Sequence, residues 1–151
     1  MQKAKQASYR PFDASKWRVG IVVAQFNRHI TDELYETALA RAKQYKIPAG
    51  RIETRKVAGA AEIPLVLQQM AATGTYQALL AIGCVIKGET PHFDYVCRFV
   101  GDGILRVQLD HSQPIGFGVL TCNNESEALA RKHLGAEHLD AVMHQAKILK
   151  G

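Results

Sequence analysis

Four short stretches of this chain carry residue types that can do chemistry: AQFNRHI from Ala24, VAGAAEIP from Val57, VIKGETPHFDY from Val85 and TCNNESEALAR from Thr121. Between them they supply an aromatic ring (Phe26), a carboxylate (Glu62), a histidine (His92), cations (Lys87, Arg131) and small residues, which is the inventory of an active site. An imidazole gives and takes protons near neutrality, so His92 suits acid–base work, and equally it could cap the helix that begins there. Gly88, Glu89 and Thr90 precede that helix, where free backbone amides and a partial positive charge favour an anion. Taken alone, Glu62 is an acidic residue at a helix N-terminus, Val85 and Ile86 are the end of a strand, and Phe26 has an ordinary core phenylalanine as its alternative reading. The chain has no Walker loop, no GxGxxG after a strand, no GxSxG elbow and no HExxH, so the common nucleotide, hydrolase and metalloprotease readings lack support.

The elements that must position these stretches are legible from period. Residues 17–24, WRVGIVVA, form an apolar run rich in β-branched residues, as a strand buried on both faces requires. Over residues 30–45 Ile30, Leu34, Ala38 and Tyr45 recur at helical spacings, with Asp32 and Glu33 expected in the first turn. Residues 51–57 alternate as an outer strand does. Residues 60–74 predict a helix with Pro64 near its start and Gly74 at its end. A third strand is predicted over 76–83, and Phe93, Val96, Val100, Ile104 and Val107 predict a core-facing helix after it. A fourth strand over 114–120 and two helices over 123–132 and 139–149, separated near Gly135, complete the chain.

Strands alternating with helices throughout imply a four-stranded parallel sheet covered on both faces through right-handed crossovers, an α/β three-layer sandwich of flavodoxin-like type. Ligands of such sheets sit beyond the carboxyl ends of the strands, where the loops after Ala24, Val57, Gly83 and Leu120 gather. A chain of 151 residues with 47% hydrophobic residues suits one core, so residues 17–151 are expected to form a single domain behind a flexible N-terminal arm, 1–16. The longest apolar run falls far short of the roughly 20 residues of a membrane span, and no apolar stretch behind the basic N-terminus makes a secretory signal. Cys84, Cys97 and Cys122 lack the paired spacing of a zinc site or disulfide framework, which points to a reducing cytoplasm and no metal. The net charge of +5 is scattered and not interleaved with stacking aromatics, so it reads as a solvated basic surface and not as a nucleic-acid site.

The stretch from Gly83 to Val96, GCVIKGETPHFDYV, resembles the GxVIxGxTxHFxYV signature of the lumazine synthase family, and it is seconded by FN after the first strand, GAxEIP after the second and FGVLT at the fourth. The resemblance covers nearly the whole chain after the arm. It implies a transferase of riboflavin biosynthesis that condenses 5-amino-6-(D-ribitylamino)uracil with 3,4-dihydroxy-2-butanone 4-phosphate to 6,7-dimethyl-8-ribityllumazine, releasing phosphate and water, with no cofactor and no metal. Under it, His92 matches the catalytic histidine and Phe26, with Asn27 beside it, the aromatic on which the pyrimidine stacks. Gly59, Ala60, Ala61 and Glu62 match the segment that binds the ribityl chain and pyrimidine. Val85 and Ile86 match the loop lining the heterocycle. Glu89 and Thr90 lie at the helix start that favours the phosphate, and Lys87 stands where the family often has arginine and could equally be a solvated surface lysine. Arg131 matches a phosphate arginine supplied by a neighbouring subunit, and Phe117 an aromatic completing the pocket across that interface. The family further implies a homopentamer, or an icosahedral or other assembly of pentamers, with shared active sites and with riboflavin synthase as a candidate partner.

The chain departs from the pattern in two places. It reads VAGAAE where the family usually has VPGAxE with an aromatic at x, so Ala58 and Ala61 replace a proline and a ring. After Arg131 it passes through KHLGAEHLD, several residues shorter than usual and without the second phosphate lysine, a task left to Lys132 or His133. These departures admit an alternative, a catalytically weak or inactive member serving as a self-assembling shell or flavin-like ligand binder. A generic flavodoxin-type nucleotide binder would instead be a monomer that takes FMN and does not need His92.

Overall fold

The computed structural model describes residues 9–150. Four strands, β1 (Val19–Ala24), β2 (Ile52–Val57), β3 (Ala78–Ile86) and β4 (Ile115–Cys122), form one parallel sheet in the order β2-β1-β3-β4. Five α-helices cover it: α1 (Arg28–Gln44), α2 (Ile63–Ala72), α3 (His92–His111), α4 (Glu125–Arg131) and α5 (Gly135–Lys150). This is the three-layer α/β sandwich of flavodoxin-like type that the alternation predicts.

The side-chain period of two divides the central strands between two cores. Val19, Ile21 and Val23 of β1, with Leu80 and Ile82 of β3, pack beneath α1 and α5. Val22 and Ala24, with Leu79 and Ala81, pack beneath α2 and α3. All six residues of β1 are buried, which is why that strand is continuously apolar while the edge strand β2 carries Arg55 and Lys56 in the open. Each fully buried leucine or isoleucine contributes about 1.5–3 kcal/mol, so the two cores together dominate the stability of the fold.

Boundaries differ from the periodic reading for local reasons. β3 runs through Gly83 to Ile86 because Gly83 stays in the ladder opposite Val119, its missing side chain leaving room for Ile63 and Ala60. Helix α1 starts at Arg28, behind a left-handed Asn27, so Asp32 and Glu33 fall in its second turn and the first carries no acid. The last two helices are separated just before Gly135, as expected, but α5 opens at Gly135 itself and not at Leu139: a methyl there would overlap the Leu34 carbonyl oxygen, so the backbones of α5 and α1 approach where only glycine fits. Gly74, with φ of 68°, ends α2 as expected.

Of the expected N-terminal arm, residues 1–8 lie outside the described residues. Residues 9–16 run along α1 and α5, with Ala14 buried and its amide donating to the Tyr45 carbonyl at 2.8 Å. The Phe12 ring lies 5.2 Å from Trp17 and 5.1 Å from Tyr45. Below it, Asp140 accepts from Arg41 Nε at 2.8 Å and from the Tyr45 hydroxyl at 2.6 Å, tying α1 to α5. Burial first, and the Asp140 carboxylate second, push the Tyr45 phenol well up, so it stays a donor.

Candidate active site

In the order β2-β1-β3-β4 the chain leaves β1 in one direction along the sheet and returns to build β3 and β4 on the other side, which makes the carboxyl ends of β1 and β3 the place where loops diverge. A cavity of about 440 Å³ opens there. Its wall comes from the loop after β1 (Phe26, Asn27), the segment entering α2 (Gly59 to Glu62), the end of β3 (Val85, Ile86) and the start of α3 (Thr90, His92). The volume falls within the range of small-molecule sites.

Hydrogen bonds hold each part of the wall. The Gln25 and Phe26 amides donate to the Val57 and Ala58 carbonyls at 2.8 and 2.9 Å, joining the first loop to the second. Asn27 Nδ2 donates to the Cys84 carbonyl at 2.9 Å, joining it to β3. Phe26 is thereby held with its ring 70% exposed over the opening, which excludes the reading of an ordinary core phenylalanine. Glu62 Oε1 accepts from the Gly59 amide at 2.9 Å, closing the turn before α2 and holding the carboxylate at the rim. His92 is the first residue of α3 and exposed, while Pro91 takes the cap position without any side-chain cap. The imidazole therefore stands at the positive end of a 20-residue helix, beside Gly88 and Thr90, where an anion would be stabilised.

Four of the expected site residues stand apart from this wall. Lys87 and Glu89 are exposed in the loop before α3. Arg131 closes α4, its Nη1 donating to the Glu127 carbonyl at 2.9 Å. Phe117 lies on the edge strand β4, on the face toward α3, 45% exposed. Conversely, the wall includes Cys84, Phe93 and Val96, which the sequence does not single out as site residues. Phe93 and Val96 belong to the helical stripe predicted to face the core; at the start of α3 that stripe meets the cavity, Val96 packing against the core as well. Burial, with smaller contributions from Cys122 and Glu125, pushes the Cys84 thiol up to about 12, so it stays protonated and packs instead of attacking.

The family model described as 6,7-dimethyl-8-ribityllumazine synthase matches residues 16–150. The chain belongs to that family. Relatives named 6,7-dimethyl-8-ribityllumazine synthase include one from Desulfovibrio desulfuricans, 38% identical over 143 residues, which are 91% of this chain and 92% of the relative. One from Coxiella burnetii is 40% identical over 141 residues, 90% and 93% of the two chains. One from Corynebacterium kroppenstedtii is 43% identical over 148 residues, 93% and 89% of the two chains.

Both departures from the lumazine synthase pattern can be placed. Ala61 lines the cavity, so the missing ring leaves that wall open, whereas Ala58 is exposed and lends only its carbonyl to Phe26. Of the two residues left for the second phosphate lysine, Lys132 points its Nζ to Glu33 on α1 at 3.4 Å, and His133 is exposed in the turn before α5.

Proposed function

We infer that this chain is a 6,7-dimethyl-8-ribityllumazine synthase, joining 5-amino-6-(D-ribitylamino)uracil to 3,4-dihydroxy-2-butanone 4-phosphate with release of phosphate and water. The observation that carries this reading is the meeting of Phe26, Glu62 and His92, from three separate loops, around one cavity in a chain of this family.

In this reading the flat pyrimidine stacks on Phe26, whose exposed ring has a free face for it. The ribityl hydroxyls run toward Glu62, a carboxylate already oriented by the Gly59 amide. The sugar phosphate docks at the start of α3, near Gly88 and Thr90. His92 then lies between the two substrates and moves protons as the amine adds to the ketone, phosphate leaves and the ring closes. Holding the partners together supplies much of the acceleration, because a bimolecular step becomes effectively intramolecular. Val85 and Ile86 line the heterocycle, and Lys87 and Glu89 border the phosphate.

The site is shared between subunits of a pentamer or an assembly of pentamers. What supports this is the position of Arg131 and Phe117, both away from their own chain's cavity, and the large apolar side chains Leu65, Tyr95 and Phe99 exposed on α2 and α3. The catalytic unit is one domain that takes in residues 9–16, packed along α1 and α5, and it works in the cytoplasm, where its three free cysteines stay reduced. Riboflavin synthase, the consumer of the product, is the expected protein partner. Among the described residues no helix is long and apolar enough to cross a membrane.

The test is to mix the protein with both substrates and follow absorbance and fluorescence of the lumazine, subtracting the slow uncatalysed reaction. A rate well above background that falls in His92→Ala is expected. No excess over background overturns the reading. A monomer in mass photometry overturns the shared site.

A further inference from the structure

Helix α4 is seven residues long, and a helix so short holds its place only through its surroundings. Within it only Ala128 is buried. Ala128 packs into the core beneath β3 and β4, whereas the attachments of α4 to α1 are polar and lie at both of its ends. His29 Nε2 donates to Glu125 Oε1 at 2.7 Å beside the first residue of α4, and Lys132 Nζ reaches Glu33 Oε1 at 3.4 Å just past the last. His29 and Glu33 stand one turn apart on α1. Glu125, Ala128 and Lys132 follow the spacing of three and four that defines one helix face. Two polar contacts to α1 thus bracket one alanine buried in the core, and Arg131, next to Lys132, is left exposed.

We propose that His29–Glu125 and Glu33–Lys132 form a two-point clamp that sets the direction in which α4 presents Arg131, making the four of them positioning residues for the phosphorylated substrate. This deepens the assignment of Arg131 to phosphate binding and rests on it. All four side chains are partly or largely exposed, so each pair adds little to the stability of the whole fold. On a helix with one buried residue, the same small energies decide between orientations, since a modest bias shifts a two-state population severalfold. The clamp also accounts for Lys132, which is engaged with Glu33 and not available as the second phosphate lysine. The loop that carries Phe26 and Asn27 ends at the helix turn bearing His29, so the clamp ties the phosphate arginine to the element that begins the cavity wall.

The experiment is steady-state kinetics of the assembled protein with each substrate varied in turn, on Arg131→Ala, Glu125→Gln, Glu33→Lys and the exchanged pair Glu33→Lys with Lys132→Glu. Glu125→Gln and Glu33→Lys are expected to raise KM for the butanone phosphate by roughly threefold to tenfold, with kcat, KM for the aminopyrimidine and melting temperature nearly unchanged. The exchanged pair is expected to return KM toward the starting value. If Arg131→Ala raises that KM while Glu125→Gln and Glu33→Lys do not, the clamp is overturned and the arginine assignment stands. An exchanged pair that stays as impaired as the single variant also overturns the clamp, because Lys132 would then be touching phosphate itself. If Arg131→Ala leaves KM for the butanone phosphate unaltered, the assignment beneath the clamp falls.

Discussion

The side-chain amide of Asn27 and the backbone carbonyl of Cys84 are 2.9 Å apart, although 57 residues separate them in the chain. Asn27 adopts a left-handed conformation, with φ of 62°, one that asparagine tolerates better than most residues. A single residue therefore turns the chain from β1 into α1 and fastens that turn to β3, at the edge of the cavity. Asn27→Asp places a carboxylate oxygen against the Cys84 carbonyl and removes the donor, whereas Asn27→Gly keeps the backbone conformation and removes the donor alone. Denaturant unfolding should show a loss of about 1–3 kcal/mol for the aspartate variant and a smaller loss for glycine. Equal losses would mean that packing, and not the bond, holds the loop.

Phe26→Ala should leave stability nearly unchanged, because the ring is 70% exposed. KM for the aminopyrimidine should rise by up to roughly tenfold, since a stacked aromatic pair contributes about 0.5–1.5 kcal/mol. Kinetics with the pyrimidine varied, alongside a melting curve, separates these effects.

His92→Ala should lower kcat by roughly tenfold to a hundredfold and leave a rate above background, because proton transfer is one contribution and substrate positioning another. The side chain is exposed at a helix start, so its removal should leave the melting temperature in place.

Gly135→Ala should be among the most damaging single-methyl changes in the protein. The added carbon would meet the Leu34 carbonyl oxygen and the Thr37 hydroxyl on α1, and the nearest of these is backbone, which cannot rotate away. A loss of about 3 kcal/mol in unfolding free energy is expected.

Stability should also fall in mild acid. His138 on α5 is largely buried, its Nδ1 has no hydrogen-bond partner among the described residues, and burial lowers its pKa from the usual 6.5. The unfolded chain then binds a proton at a higher pH than the folded one, so the stability contributed by neutral His138 is complete above about pH 6.5 and is lost progressively as pH falls toward the lowered value. Urea unfolding at about pH 7.5 and about pH 5 should show a decrease that shrinks in His138→Gln.

The sequence by itself determined the class of fold and most of the cavity. Continuous apolar runs alternating with stripes at helical spacing admit little besides a covered parallel sheet, and such a sheet forces its loops together at one end. The pieces holding Phe26, Glu62 and His92 were legible because each sits directly after a strand or before a helix. Tertiary structure alone decided what depends on the relative placement of elements. Phe93 and Val96 share the period of the core-facing residues behind them, and only their place at the start of α3 turns them into cavity wall. Gly135 marks the break between the last two helices in the sequence, but that it also opens α5 is set by the closeness of α1. The pairing of Lys132 with Glu33 joins residues 99 positions apart, a contact that local propensity and period do not encode.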